Sequence, residues 1–145
     1  MLVKFQLLHD EAIVPTYASS GSAGCDLYAC LDKDEFSLSP NCRQLVQTGL
    51  VAEIPAGYFG MVCSRSGLAK KFGLTVLNAP GIIDCDYRGE IGVILYNGGS
   101  DQVVIKNKQR IAQLIIVPYV QAEWIKTDIL SETNRGSGGF GSSGI

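Results

Sequence analysis

Short apolar runs, each closed by turn-forming residues, constrain the fold of this chain more than any other feature. Aliphatic and β-branched segments of a few residues end at Pro55-Ala56-Gly57, at Pro80-Gly81 and at Asn97-Gly98-Gly99-Ser100. Runs of that length between Gly, Pro and Asn read as strands. Seventeen Gly and two Met among 145 residues point the same way. With 46% apolar and 18% charged residues, the chain is globular and long enough for one cored domain. No apolar run approaches the roughly 18 residues that span a bilayer, and residues 1–10 lack a signal-peptide pattern. A net charge of −2 gives no global field for nucleic acid, so an anionic ligand needs a local cluster of Arg, Lys and backbone N–H groups. No membrane or direct nucleic-acid partner is expected.

Five cysteines, at 25, 30, 42, 63 and 85, are odd in number and lack paired C-x-x-C spacing. The lone His9 cannot complete a zinc site with them, and it makes a histidine-centred nucleophile triad improbable. Reduced, packed thiols in a cytoplasmic or nuclear protein are the expectation.

Strands are expected over 3–8, 25–30, 36–38, 43–54 in short pieces, 58–63, 91–96 and 111–120, with 103–105 as the return strand after the 97–100 turn. Residues 15–24 read as a loop. The 25–30 strand sets Asp26, Tyr28 and Cys30 on one face. Asp is depleted in strands, so Asp26 is either an edge carboxylate in water or one aimed into a site. One helix is expected, with Ser66 as its cap, Leu68, Ala69 and Phe72 on one side and Gly73 as the stop. At its start, Arg65, the Ser66 hydroxyl and free backbone N–H groups offer themselves to an anion. Gln113, amid aliphatics, needs a hydrogen-bond partner from backbone or ligand. Lys106, Lys108 and Arg110 form a small basic patch, read as a solvated edge.

Residues 77–90 carry the chemistry. The Pro80-Gly81 turn predicts a β-hairpin that brings an amide (Asn78), a carboxylate (Asp84) and an aromatic ring (Tyr87) together. Those groups suit reading a polar heterocycle and activating a water beside it. From Thr133 the chain turns to TNRGSGGFGSSGI. Such a tail is flexible by default, yet Arg135 and Phe140 give it charge and a stacking face for a phosphate and a base.

Five segments, taken in order, resemble the motifs of the trimeric dUTP nucleotidohydrolase (dUTPase) family. They are residues 23–29 (AGCDLYA), 64–69 (SRSGLA), 81–89 (GIIDCDYRG), 110–114 (RIAQL) and 135–144 (RGSGGFGSSG). The resemblance implies an all-β, distorted jelly-roll-like β-barrel subunit with one short helix, residues 1–132 as the domain and 133–145 as a flexible arm. It implies a homotrimer whose arms close over sites built at subunit interfaces. The implied reaction is hydrolysis of dUTP to dUMP and pyrophosphate with Mg²⁺, which limits uracil entry into DNA and supplies dUMP for thymidylate synthesis. By the same resemblance Asp84 is the general base, Tyr87 packs under the deoxyribose, and Asn78 with Ile82 and Ile83 reads the uracil edge. Arg65, Ser66, Gly67 and Gln113 hold phosphates, and Asp26 reaches Mg²⁺ through water. Arg135 holds the γ-phosphate, Phe140 covers the uracil and Ser142 helps bind phosphate.

The chain departs from the family pattern at Ser64, at Cys25 and Cys85, and at Lys108-Gln109 in place of Gly-Asp, which questions the conformation of that turn. Three other readings compete, one of them a capsid-like structural jelly roll, which would not need Arg135 or Phe140 in its tail. A dCTP deaminase shares the fold but needs a catalytic glutamate where this chain has Asp84-Cys85-Asp86-Tyr87. A catalytically silent nucleotide-sensing domain would not need every one of these residues.

Overall fold

The turn punctuation divides the chain into twelve strands and one short helix in a computed structural model that describes residues 1–140 and 142. In order these are β1 (Lys4–Leu7), β2 (Thr16–Tyr17), β3 (Cys25–Tyr28), β4 (Glu35–Leu38), β5 (Arg43–Gln47), β6 (Leu50–Glu53) and β7 (Tyr58–Ser64). Helix α1 (Ser66–Phe72) follows, then β8 (Leu74–Val76), β9 (Gly81–Ile83), β10 (Gly92–Asn97), β11 (Val103–Lys106) and β12 (Arg110–Pro118). All strand pairs are antiparallel. The expected all-β, jelly-roll-like class with one short helix is what the chain adopts.

A five-stranded sheet, in the order β2-β3-β12-β7-β9, carries the long β12 at its centre. Its inward residues Leu27, Val62 and Leu114 meet Val46, Leu74, Val76, Val93 and Leu95 from the three-stranded sheet β5-β10-β8. The two-stranded pairs β1-β6 and β4-β11 complete the framework, with Leu50, Ala52, Leu38 and Ile105 in the same core. Each fully buried aliphatic contributes about 1.5–3 kcal/mol. The sheet centre, not the single helix, therefore holds the fold.

Several connections differ from expectation. The 15–24 loop contains β2, which edges β3. β8 and β9 flank the Pro80 turn but do not form a hairpin: β8 pairs with β10 and β9 with β7, so the turn passes the chain between sheets. Likewise β11 does not return along β10 but pairs with β4. The cause is Asn97, fully buried, whose amide donates to the carbonyls of Leu38 at 2.9 Å and Asp101 at 2.8 Å while its oxygen accepts from the Gly99 N–H. Those bonds secure the turn to β4 and direct the chain there.

The helix stops at Gly73 as expected, with φ of 66°. A Cβ there would stand 2.7 Å from the Gly99 backbone nitrogen. Its start differs. Arg65 is the N-cap without a side-chain cap bond, and Ser66 is the first helical residue. The Arg65 carbonyl takes the Leu68 and Ala69 N–H groups, while its side chain is drawn elsewhere. Leu68 alone of the expected apolar face is buried, because a two-turn helix on the surface tucks in a single side chain.

Asp26 draws that side chain. β3 is covered on both faces, and Asp26 is 2% exposed. Its Oδ1 accepts from Arg65 Nε at 3.0 Å and its Oδ2 from Arg110 Nη1 at 3.2 Å, while Arg65 Nη1 donates to the Arg110 carbonyl. Asp26 is thus neither an edge carboxylate nor in water, and Arg110, though half-exposed, is paired with it. Nearby, Lys108 adopts φ of 62° and pairs with Glu11. Gln109 Oε1 accepts the Lys106 N–H, and Asn107 Oδ1 accepts from Leu31 and Lys108. The unusual turn therefore closes without Gly or Asp. At Ser64, the hydroxyl accepts the Val76 N–H at 2.8 Å and meets Thr75 Oγ1, tying β7 to β8.

Two outcomes are expected in urea unfolding. Gly73→Ala loses at least about 2 kcal/mol, since a left-handed alanine is strained and its methyl meets fixed backbone. Asp26→Asn loses about 2–4 kcal/mol by leaving two guanidinium groups on one neutral amide, discounted because Arg110 is half-exposed. An unchanged midpoint in either variant would refute the corresponding assignment.

Candidate active site

The Pro80 turn, whose Ala79–Pro80 peptide is cis, delivers its residues to a cleft of about 450 Å³ between β9 and β10. Asn78, Ile82, Ile83, Asp84 and Tyr87 line it, joined by Gln47 and Glu90. The predicted convergence of amide, carboxylate and ring is present, although a sheet-switching turn produces it. Asp84 is exposed, and its carbonyl accepts the Tyr87 N–H at 3.1 Å in the turn that follows β9. Arg88 Nη1 donates to the carbonyls of Cys85 and Tyr87, so its charge stiffens this turn.

A second cleft, of about 670 Å³, lies on the other side of Asp84 and is lined by Phe59, Ile82, Cys85, Asp86, Tyr119 and Gln121. Cys85 Sγ sits 3.6 Å from the Tyr119 hydroxyl, so this thiol is half-buried rather than a core residue. That hydrogen bond is the main cause that raises the Tyr119 pKa, and the negative charges of Asp84 and Asp86 add to it. Cys25 does pack in the core, donating to the Leu114 carbonyl at 3.3 Å. Burial pushes the thiols of Cys25 and Cys30 up, which keeps both protonated at neutral pH.

The expected phosphate ligands gather elsewhere. β12 places Gln113 opposite Asp26 on one side and Cys63 on the other. Arg65 follows β7 directly and leads into Ser66 and Gly67, both exposed in the first turn of α1. A Cβ at Gly67 would meet nothing within 4 Å. Gln113 is half-buried, and no buried side-chain N or O atom among the described residues lacks a partner. None of Asp26, Arg65, Ser66, Gly67 and Gln113 lines the Asp84 cleft, so one chain carries two separate halves.

The tail residues stand apart from both. Arg135 Nε donates to the Gly138 carbonyl at 2.9 Å, folding the guanidinium back on its own turn. Phe140 and Ser142 are exposed, and Gly141, Ser143 and Gly144 of the fifth segment lie outside the described residues. The exposed stretch begins upstream of the glycine-rich tail, directly after β12, and displays Val120, Trp124, Ile125, Ile129 and Leu130.

Three residues near these halves were given no site role in the sequence reading. Arg110 carried no local signal of its tie to Asp26, because that tie follows from β12 pairing with β3. Glu90 and Gln47 carried none, because their place in the cleft follows from β5 pairing with β10. Among the described residues, no group of three or more His, Cys, Asp or Glu is placed to hold a metal ion. Among the described residues no helix is long and apolar enough to cross a membrane.

Comparison with known proteins supplies the family. The dUTPase family model matches residues 10–144. A deoxyuridine 5'-triphosphate nucleotidohydrolase of Beijerinckia indica is 53% identical over 99% of this chain and 91% of its own length. One of Syntrophotalea carbinolica is 47% identical over 99% and 97%. Among solved structures, a variant of the Staphylococcus bacteriophage 80alpha dUTPase with dUpNHpp superposes with a TM-score of 0.90 at 27% identity, covering 99% of both chains. A match of this extent, over a fold and a cleft already assembled from the residues, places the chain in the dUTPase family.

Proposed function

We propose that this protein hydrolyses dUTP to dUMP and pyrophosphate, and the observation that carries this reading is the meeting of Asn78, Asp84 and Tyr87 in one cleft. In this reading Asp84 positions and deprotonates a water for in-line attack at the α-phosphorus. A carboxylate is a weak base, but a held geometry and neutralised phosphate charge lower the barrier most. Asn78 and the β9 backbone at Ile82 and Ile83 pair with the uracil edge, where cytosine would leave groups unpaired at about 1–3 kcal/mol. Tyr87 packs under the deoxyribose and leaves no room for a 2′-hydroxyl.

Arg65, Ser66, Gly67 and Gln113 hold the phosphates in this scheme, with Arg135 on the γ-phosphate, Phe140 over the uracil and Ser142 assisting. Gly67 supports the assignment, because nothing in its own chain needs a glycine there. The cleft and the phosphate group lie apart on one chain, which supports a homotrimer with sites completed by neighbours and closed by the 133–145 arm. Exposed Phe5, Leu7, Leu8, Trp124 and Ile125 give such an assembly apolar surface to bury.

Mg²⁺ in this reading shields the triphosphate charge. The donor set fits a metal held by substrate and water rather than by a protein cage. Both Asp26 oxygens already accept from arginines, yet each keeps a lone pair for a bound water. The five free cysteines suit a reducing cytoplasm.

Pyrophosphate release from dUTP, dCTP, dTTP and UTP with Mg²⁺ tests the reaction. Turnover of dUTP alone is expected, and Asp84→Asn should lower kcat by about 10²–10⁴-fold without unfolding. Ammonia release from dCTP, or dUTP binding without hydrolysis, would overturn the reading in favour of the deaminase or sensing alternative. Gly67→Ala should keep or slightly raise the unfolding midpoint, because alanine is the better helix former, while dUTP turnover falls. Full turnover in that variant would remove Gly67 from the phosphate site.

A further inference from the structure

Tyr87 lines the cleft while 43% exposed, so a few local contacts must fix its ring. Its hydroxyl donates to the Glu90 carbonyl at 3.0 Å. Glu90 is itself tied down, since its Oε1 accepts the Gly49 N–H at 2.7 Å. The next residue is tied as well: the buried Thr48 hydroxyl donates to the Ile91 carbonyl at 2.6 Å. The corner between β5 and β6 thus clamps the segment that receives the tyrosine hydroxyl.

The bond from Tyr87 to Glu90 folds the ring back over Gly89. A Cβ at Gly89 would stand 2.3 Å from the tyrosine hydroxyl oxygen, 2.5 Å from its Cζ and 3.0 Å from its Cε2. Outside its two chain neighbours no other atom stands nearer to that Cβ, and Gly89 is not among the positive-φ glycines. Alanine therefore suits the backbone, and outside its chain neighbours the atoms it strikes first all belong to the ring.

We propose that Gly89 is a positioning residue whose missing side chain seats the Tyr87 ring, and that it thereby sets the discrimination between deoxyribose and ribose. This rests on the reading above in which Tyr87 packs under the sugar. Glu90, held by the Thr48-Gly49 corner, takes the hydroxyl at this same end of the ring. A ring displaced by a methyl opens the space in which a 2′-hydroxyl is otherwise refused.

The test is a double-mutant cycle over Gly89→Ala and Tyr87→Ala in the full chain, read by kcat/KM for dUTP and UTP and by thermal unfolding. Gly89→Ala should lower the dUTP-to-UTP ratio by roughly 10- to 200-fold, the range one added group is worth in a close-fitting pocket. The double variant should match Tyr87→Ala alone, because the ring that the added methyl strikes is gone. Gly89→Ala should likewise lower the unfolding midpoint in the wild-type background and leave it unmoved in the Tyr87→Ala background. A wild-type ratio in Gly89→Ala, or equal midpoint shifts in both backgrounds, would overturn the proposal. A wild-type chain without dUTP turnover would count against the hydrolase reading and the selectivity that depends on it. The unfolding cycle would still decide whether Gly89 seats the ring.

Discussion

One buried carboxylate organises the half of the molecule that the helix opens. Asp26 sits in a strand covered on both faces, where an unpaired charge would cost several kcal/mol. Arg65 and Arg110 answer it, from the end of β7 and the start of β12. Because Arg65 is committed to that pair, it caps α1 with its backbone alone. Ser66 and Gly67 are consequently left on the surface in the first helical turn, with N–H groups that an α-helix cannot satisfy internally. A residue first notable for being out of place in a strand thus sets the local geometry of its neighbours.

The other half depends on sheet switching. Since β8 joins β10 and β9 joins β7, the Pro80 turn spans two sheets, and the residues on and after it fall into the groove between them. Neither half reaches the other within one chain. The proposed trimer accounts for this division, and it gives the exposed aliphatics after β12 a surface to cover. A separate monomeric role would leave Trp124, 95% exposed, without a physical reason.

Strand positions and helix end were legible in the sequence because their signals are local: Gly73 needs a positive φ, and short β-branched runs end at turns. The amide, carboxylate and ring of residues 77–90 were legible for the same reason, being close in sequence. Pairing was not. That Asn97 would hold the Leu38 carbonyl, 59 residues away, has no local signature, and it is what sends β11 to β4 instead of back along β10. Arg110 is hidden by the same cause. A basic residue at a strand start looks solvated until the neighbouring strand is known to carry a buried acid.

Lys108-Gln109 shows why a motif is better read as geometry than as letters. The family's Gly-Asp pair supplies a residue free to take positive φ and a short acceptor. Here Lys108 takes φ of 62° at some cost, of order 1–2 kcal/mol for a non-glycine residue. Gln109 brings an acceptor to the Lys106 N–H, and Asn107 adds a second that receives both Leu31 and Lys108. With three polar bonds closing the turn, Arg110 still emerges at the position from which it reaches Asp26. The turn made by Lys108 and Gln109 thus delivers Arg110 to Asp26 without a Gly-Asp pair.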